Sequence, residues 1–240
     1  MSHDPWSQDR YGVRFEWGPA GAERLSRAGG ALVVVDVLSF TTAVSVAVER
    51  GTAVLPAASH DAGAALARRA GAELAAGRHD VTDERPWSLS PAALRSARAP
   101  DRLVLPSPNG SAIAAAAEGV VVAACLRNAR AVAALLGDEP VTVIAAGERW
   151  PDGSLRPALE DVLGAGAVLA ALARHGAESP EAAAARSAYE SCRSVPDALR
   201  HCASGVELTT SGFAEDVEIA VEADTTDVVP VLVDGAFRRS

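Results

Sequence analysis

Four apolar runs in this chain each end abruptly at a knot of polar residues, and each is followed by a segment with helical patterning. Val33, Val34 and Val35 lead to Asp36, then to Ser39, Thr41 and Thr42, then to an Ala/Val-rich segment that closes at Gly51. Leu103 to Ser111 (LVLPSPNGS), Val120 to Asn128 (VVVAACLRN) and Val141 to Arg149 (VTVIAAGER) repeat the plan. Strand, polar turn and helix in alternation predict an α/β chain with a mostly parallel sheet. Parallel strands place their carboxyl ends along one edge, where ligands bind. The expected crevice collects a carboxylate, several hydroxyls, two Asn and two Arg.

Along the chain the spacing predicts strands at Val13–Trp17, Leu32–Val37, Val54–Pro56, Leu103–Leu105, Val120–Ala124, Val141–Ala145 and Asp227–Val233. Helices are expected near Ala22–Ala28, Thr41–Glu49, Asp61–Ala70, Ser111–Ala117, Ala129–Leu136, Pro157–Arg174, 181–193 and 196–204, with a last unit from Phe213 through Ala220. The pattern weakens between Gly71 and Arg98. We expect one α/β domain over 1–240, with a subdomain as the alternative from about 176.

With 240 residues, 49% of them hydrophobic and 4% aromatic, the core must be built from Val, Leu, Ile and Ala. All 22 basic residues are Arg; codon bias accounts for the count, while Arg forks suit phosphate or sulfonate. A net charge of −9 without a basic run excludes a nucleic-acid face. A local Arg and amide cluster can still bind a small anion. Cys125, Cys192 and Cys202, with no C-x-x-C, read as reduced thiols of a cytoplasmic protein. No membrane span and no signal peptide are expected. A homo-oligomer is compatible with the Ala/Val-rich helices.

Asp36 at a strand end is costly to bury without a partner. It reads either as a Mg2+ ligand or acid/base group, or as a turn residue capping the next helix. Thr41 and Thr42 stand at that helix's N-terminus, where they suit an anion or act as caps. Ser107, Pro108, Asn109, Gly110 and Ser111 form a tight turn able to present amides to a phosphate. Arg127 with Asn128, and Gly147-Glu148-Arg149, occupy the next two strand ends. Arg149 can fork an anion or pair with Glu148 or Asp152. Glu160 and Asp161 open a helix, either complementing its dipole or binding Mg2+. The five His (3, 60, 79, 175 and 201) show no zinc spacing. There is no G-x-S-x-G elbow and no D-x-D after the first strand.

These motifs, in this order, resemble the 2-phosphosulfolactate phosphatases, a Mg2+-dependent family associated with coenzyme M biosynthesis. The resemblance spans about Leu32 to Leu232. It is carried by VVVDVLSFTTA, SPNGS, ACLRNARAVA, the AGER…LEDVLGAGAV block and the closing DVVPVL. It implies a three-layer α/β/α fold with a mixed sheet, and hydrolysis of 2-phosphosulfolactate to sulfolactate and phosphate. The family's Asp, hydroxyls, Asn-Gly turn, Asn, Gly and Glu-Asp pair fall on Asp36, Thr41, Thr42, Asn109, Gly110, Asn128, Gly147, Glu160 and Asp161. This chain departs from the family at Ser39, where Arg is usual. It also has Ala76-Gly77-Arg78 and Ser88-Leu89-Ser90-Pro91 where Gly-Glu-Arg and Asn-Ser-Pro are usual. Each lost charge-assisted bond costs about 1.5–3 kcal/mol.

The expected reaction is Mg2+-dependent hydrolysis of a small anionic phosphate ester. Asp36 and Glu160 hold the metal, with Asp161 as a third catalytic carboxylate. Thr41, Thr42, Ser107, Asn109, Gly110, Ser111 and Asn128 surround the phosphate, and Arg78 and Arg149 neutralise a second anionic group. The alternatives are a non-catalytic anion-binding homologue and a phosphatase for another small metabolite.

Overall fold

In the computed structural model, which describes residues 4, 6–174 and 176–240, an interior strand is Ala31–Val35, five residues buried on both faces. Such continuous burial is the mark of a parallel strand covered by helices on each side. The chain opens with β1 (Val13–Trp17) and α1 (Gly18–Ser26). That interior strand, β2 (Ala31–Val35), precedes α2 (Phe40–Glu49), β3 (Ala53–Ala57), α3 (His60–Ala70) and β4 (Glu73–Leu74). Then follow α4 (Pro91–Ser96), β5 (Arg102–Pro106), α5 (Gly110–Ala116), β6 (Val121–Ala124) and a 3-10 turn at Leu126–Asn128. After α6 (Ala129–Leu136) and β7 (Val141–Ala145), a short hairpin of β8 (Glu148–Arg149) and β9 (Leu155–Arg156) leads into α7 (Leu159–Leu172). The last part contains α8 (Pro180–Ser191), α9 (Val195–His201), α10 (Ala203–Thr210), α11 (Ala214–Ala220), β10 (Pro230–Val233) and β11 (Ala236–Arg239).

Nine strands form one mixed sheet in the order β1-β7-β2-β6-β10-β11-β3-β5-β4. The pairs β1–β7, β7–β2 and β2–β6 are parallel, as are β3–β5 and β5–β4. Between the two blocks lies the C-terminal hairpin, antiparallel to both and within itself. Three antiparallel steps leave the β3–β5–β4 block opposite in sense to β2. This corrects the expectation that all strand ends share one edge. The ends of β2 and β5 nonetheless meet, since the Gly110 amide donates to Asp36 Oδ2 at 2.8 Å.

Strand alternation separates two cores. Val33 and Val35 face α6, α7, α8 and α9, whereas Leu32 and Val34 face α1, α2 and α5. The fold is thus α/β/α in three layers. Ala182, Ala185 and Leu199, from the helices after 176, lie in the same apolar cluster as β1, β2 and β7. Phe237 of β11 meets Phe40 of α2 edge-on at 6.2 Å, which seats the hairpin between the blocks. The helix expected over 196–204 is two helices, broken at Cys202, whose extended backbone ends α9 and caps α10.

The predicted strand over Leu32–Val37 stops two residues early for a reason visible in its amides. Asp36 N–H donates to Thr41 Oγ1 at 3.0 Å, and Val37 N–H to Asp161 Oδ1 at 2.8 Å. Both donors are thereby withdrawn from the ladder, and the chain turns into α2. No helix among the described residues is long and apolar enough to cross a membrane.

Candidate functional site

Asp36 leaves β2 with both carboxylate oxygens met by amides. Phe40 N–H donates to Oδ1 at 3.1 Å, capping α2, and Gly110 N–H donates to Oδ2 at 2.8 Å. Gly110 is required there, since a Cβ would come within 2.7 Å of Asp36 Oδ2 and 2.9 Å of the Phe40 ring. Asp161 behaves alike from the first turn of α7. Its oxygens take Val37 N–H and Gly147 N–H, each at 2.8 Å. Gly164, one turn further along α7, allows this approach, because a Cβ would lie 2.5 Å from Val37 Cγ2. Glu160, 2% exposed, leaves its Oε2 buried and without a hydrogen bond. Glu148, on β8, accepts from Asn109 Nδ2 at 2.9 Å.

These four carboxylates feel one another. Burial pushes Asp36 above the ordinary carboxylate range, against the pull of the Gly110 and Phe40 amides, and the Glu160 charge pushes it further. Burial and the Asp36 and Glu160 charges push Asp161 well up. Glu148 is pushed up to about 7, first by burial and then by Asp36, with the Asn109 bond opposing. Among the described residues none of the four is in an ion pair, and the nearest relief is the weak pull of Arg156 on Glu148. Glu148 was absent from the predicted site. Its place in the AGER run was the available signal, but the sequence offered it only as a partner for Arg149.

The donor set suits a hard divalent cation. Each amide-bound oxygen of Asp36 keeps a second lone pair, and Glu160 Oε2 has both. No three His, Cys, Asp or Glu side chains among the described residues surround one point as a ready metal cage. Three of the five His, at 60, 79 and 201, are among the described residues and join no such cluster, while His3 and His175 lie outside the described residues.

The other predicted residues divide in two. Thr41 Oγ1 donates to Asp36 O at 2.8 Å, Thr42 Oγ1 to Val37 O at 2.8 Å, and Ser111 Oγ to Leu105 O at 2.9 Å while accepting from Ala57 N. Their hydroxyls tie the turns together, and the Gly110 amide holds a carboxylate where a phosphate was expected. Asn128, fully buried, accepts from Cys125 N at 2.9 Å and donates to the carbonyls of Ala123 and Val228 at 3.3 Å. It fastens β6 to the segment before β10 and faces no open space. Arg127 likewise is taken up by Glu49, Glu222 and Ser45.

Asn109 reaches the acid cluster through Glu148, while Arg78 and Ser107 line a neighbouring cavity whose wall holds none of the four carboxylates. Arg149 is exposed and donates to the carbonyls of Gly153 at 3.0 Å and Pro108 at 3.4 Å, so neither Glu148 nor Asp152 pairs with it. Arg78 donates through Nη2 to Ser39 Oγ, immediately before α2. It thus delivers a guanidinium to the position where this chain has Ser39. Arg78 and Ser107 line a cavity of about 370 Å3 together with Ser59, His60, Leu89 and Pro108.

Two comparisons bear on this arrangement. Residues 21–235 match the family described as 2-phosphosulpholactate phosphatase. The 2-phosphosulfolactate phosphatase of Methanothermobacter thermautotrophicus is 32% identical over 209 residues, covering 86% of this chain and 88% of that protein. A Thermotoga maritima protein named "Probable 2-phosphosulfolactate phosphatase" is 27% identical over 212 residues, 85% of this chain and 90% of that one.

Proposed function

The chain belongs to the 2-phosphosulfolactate phosphatase family and is a phosphoric monoester hydrolase, and we propose that it is Mg2+-dependent and hydrolyses 2-phosphosulfolactate to sulfolactate and phosphate. The observation that carries this reading is the surplus of carboxylate: buried Asp36, Glu160 and Asp161 with half-buried Glu148, a free Glu160 oxygen, and no cation paired with any of the four among the described residues. A divalent cation held there would offset that charge and supply the attraction for a phosphate dianion that bare carboxylates would repel.

Asp36 and Glu160 would hold the metal, from the end of β2 and the first turn of α7. Bound there, Mg2+ supplies positive charge at the phosphoryl oxygens as the transition state forms. Asp161 keeps the two turns in place through Val37 and Gly147. A water oxygen attacks phosphorus, the ester P–O bond breaks, and its electron pair stays on the sulfolactate oxygen. Glu148, whose carboxyl burial pushes up in the metal-free protein, would give its proton to that oxygen, and a proton from the attacking water would restore it. Asn109 aims Glu148 through its 2.9 Å bond. Arg78, on the cavity wall, takes the second anionic group, and Arg149 stands at the rim.

The three thiols are free, with Cys125 and Cys202 buried and Cys192 half-buried, which suits a reducing compartment such as the cytoplasm. The experiment is phosphate release from 2-phosphosulfolactate with Mg2+ and with EDTA. Release with Mg2+ and loss in EDTA are expected. Equal release in EDTA, or binding by calorimetry without turnover, overturns the reading, the latter in favour of a non-catalytic anion binder.

A further inference from the structure

Arg78 arises in the stretch whose sequence pattern is weakest, yet its guanidinium is held on three sides. Nη2 donates to Ser39 Oγ and to Leu89 O. Its Cζ stands 5.6 Å from the centre of the Phe213 ring, whose other neighbour is the His79 ring at 4.9 Å. Nε lies 3.4 Å from Asp216 Oδ2. Nη1 makes no hydrogen bond to a described residue, and Arg78 lines the 370 Å3 cavity. Phe213 and Asp216 belong to one turn at the start of α11, so a single segment supplies both the stacking face and the counter-charge.

Asp216 is the less expected partner. Its side chain is 1% exposed, and Oδ1 accepts from Ser90 Oγ and from Ala92 N–H. Oδ2 pairs with Arg78 Nε at 3.4 Å, and neither atom makes a hydrogen bond. A buried carboxylate half satisfied by a loop and half turned to one guanidinium fixes that guanidinium's orientation as well as its charge.

We propose that Asp216 is a positioning residue for substrate selection: it fixes Arg78 so that Nη1 is presented to the cavity, where the sulfonate or carboxylate of the phosphate ester binds. This rests on the phosphatase reading above and assigns the residue behind its second-anion contact. The selectivity of the enzyme is then set partly from α11, a segment that does not reach the acid cluster. Neutralising Asp216 frees the guanidinium to rotate and weakens the grip on the second anion, while the chemistry at phosphorus keeps its own groups.

The test compares kcat/KM for 2-phosphosulfolactate with that for propan-2-yl phosphate, a secondary phosphate ester with no second anion. Asp216→Asn is expected to lower that ratio about tenfold or more, the scale of one weakened charge-assisted bond. The loss should fall on KM, and Asp216→Glu should recover part of it. In an Arg78→Met background, where the ratio is already low, Asp216→Asn should lower it no further. An unchanged ratio in folded Asp216→Asn, or an equal further fall in the Arg78→Met background, overturns the proposal. Should Asp216→Asn fail to fold, Asp216→Glu is read on the same ratio, and no change there overturns it. If the wild type releases no phosphate from 2-phosphosulfolactate, the phosphatase reading fails by itself. Calorimetry with sulfolactate then decides the subsite, with weaker binding by both Asp216→Asn and Arg78→Met expected and equal binding contradicting it.

Discussion

Two groups of buried charge stand on opposite sides of α2, and they are built on opposite principles. At one end Arg127, 4% exposed, is met by Glu49 at 2.8 Å and Glu222 at 3.0 Å, and Glu222 is met again by both Arg95 nitrogens at 2.7 Å. Two guanidiniums and two carboxylates close the account within the fold. Beyond the N-terminus of α2, Asp36, Glu148, Glu160 and Asp161 gather with no paired cation among the described residues. Carboxyl groups show the difference directly. Arg127 holds Glu49 below its ordinary range, and Arg95 with Arg127 holds Glu222 below its own, whereas burial and mutual repulsion hold Asp36, Asp161 and Glu148 above theirs. A balanced network holds elements together. An unbalanced one stores destabilisation that a ligand can relieve.

The largest expected effect breaks the unbalanced end. Glu160→Gln should lower phosphate release about a hundredfold to a thousandfold, the scale of deleting one electrostatic stabiliser. The same change should leave the metal-free protein as stable as the wild type or more so by thermal denaturation, because it removes a charge whose Oε2 has no partner. Asp36→Asn should lose comparable activity but also cost about 1–3 kcal/mol of stability, since an amide donor would face the Gly110 or Phe40 N–H.

Next in size is the balanced end. Arg127→Met should destabilise the protein by about 3 kcal/mol in chemical denaturation while the folded fraction keeps its turnover. Glu49 and Glu222 are 37% and 29% exposed, which places the figure at the low end for a broken ion pair. A loss of turnover per folded molecule beyond twofold would mean that the two networks are not separate.

The pH dependence of stability, measured in EDTA, should differ in sign between the networks. Glu49 and Glu222 have lowered folded values, so they contribute stability above the ordinary carboxylate range that is lost as acid protonates them in the fold. Asp36, Asp161 and Glu148 have raised values, so the folded chain binds more protons than the unfolded one. Their contribution should fall as pH rises out of the ordinary carboxylate range, and for Glu148 that window closes near 7. Saturating Mg2+ should flatten this second slope. The smallest effect is Asn109→Ala, which removes the bond that lowers Glu148 and should move its titration upward by up to about one pH unit. The pH–rate profile reads it, and a downward shift would mean that Glu148 is held by something else.

Much of this was legible in the chain. β1, β7 and α6 fall on the residues that periodicity marked, because each is a clean apolar run bounded by turn residues. Asp36, Asn109, Glu160 and Asp161 were marked as candidates because polar residues at strand ends and helix starts stand out against Val and Ala. The C-terminal β11 was not found, since its Arg238-Arg239 end reads as a solvated tail, although Phe237 anchors it. With β11 went the reversal of the second strand block. Thr41, Thr42 and Asn128 carry the right groups, but their partners are backbone carbonyls and amides, which a sequence does not display. Asp216 and Phe213 were invisible as partners of Arg78 because 135 or more residues separate them, with no shared motif. The link from Glu148 to Asn109 depends on a two-residue hairpin too short for any periodicity to announce.

The most direct measurement is thermal denaturation of the wild type and Glu160→Gln across a Mg2+ titration at neutral pH. A shared crowd of carboxylates awaiting a cation predicts a midpoint that rises with Mg2+ in the wild type and rises far less in Glu160→Gln, whose metal-free midpoint starts no lower. Identical, flat curves for the two proteins would contradict the account.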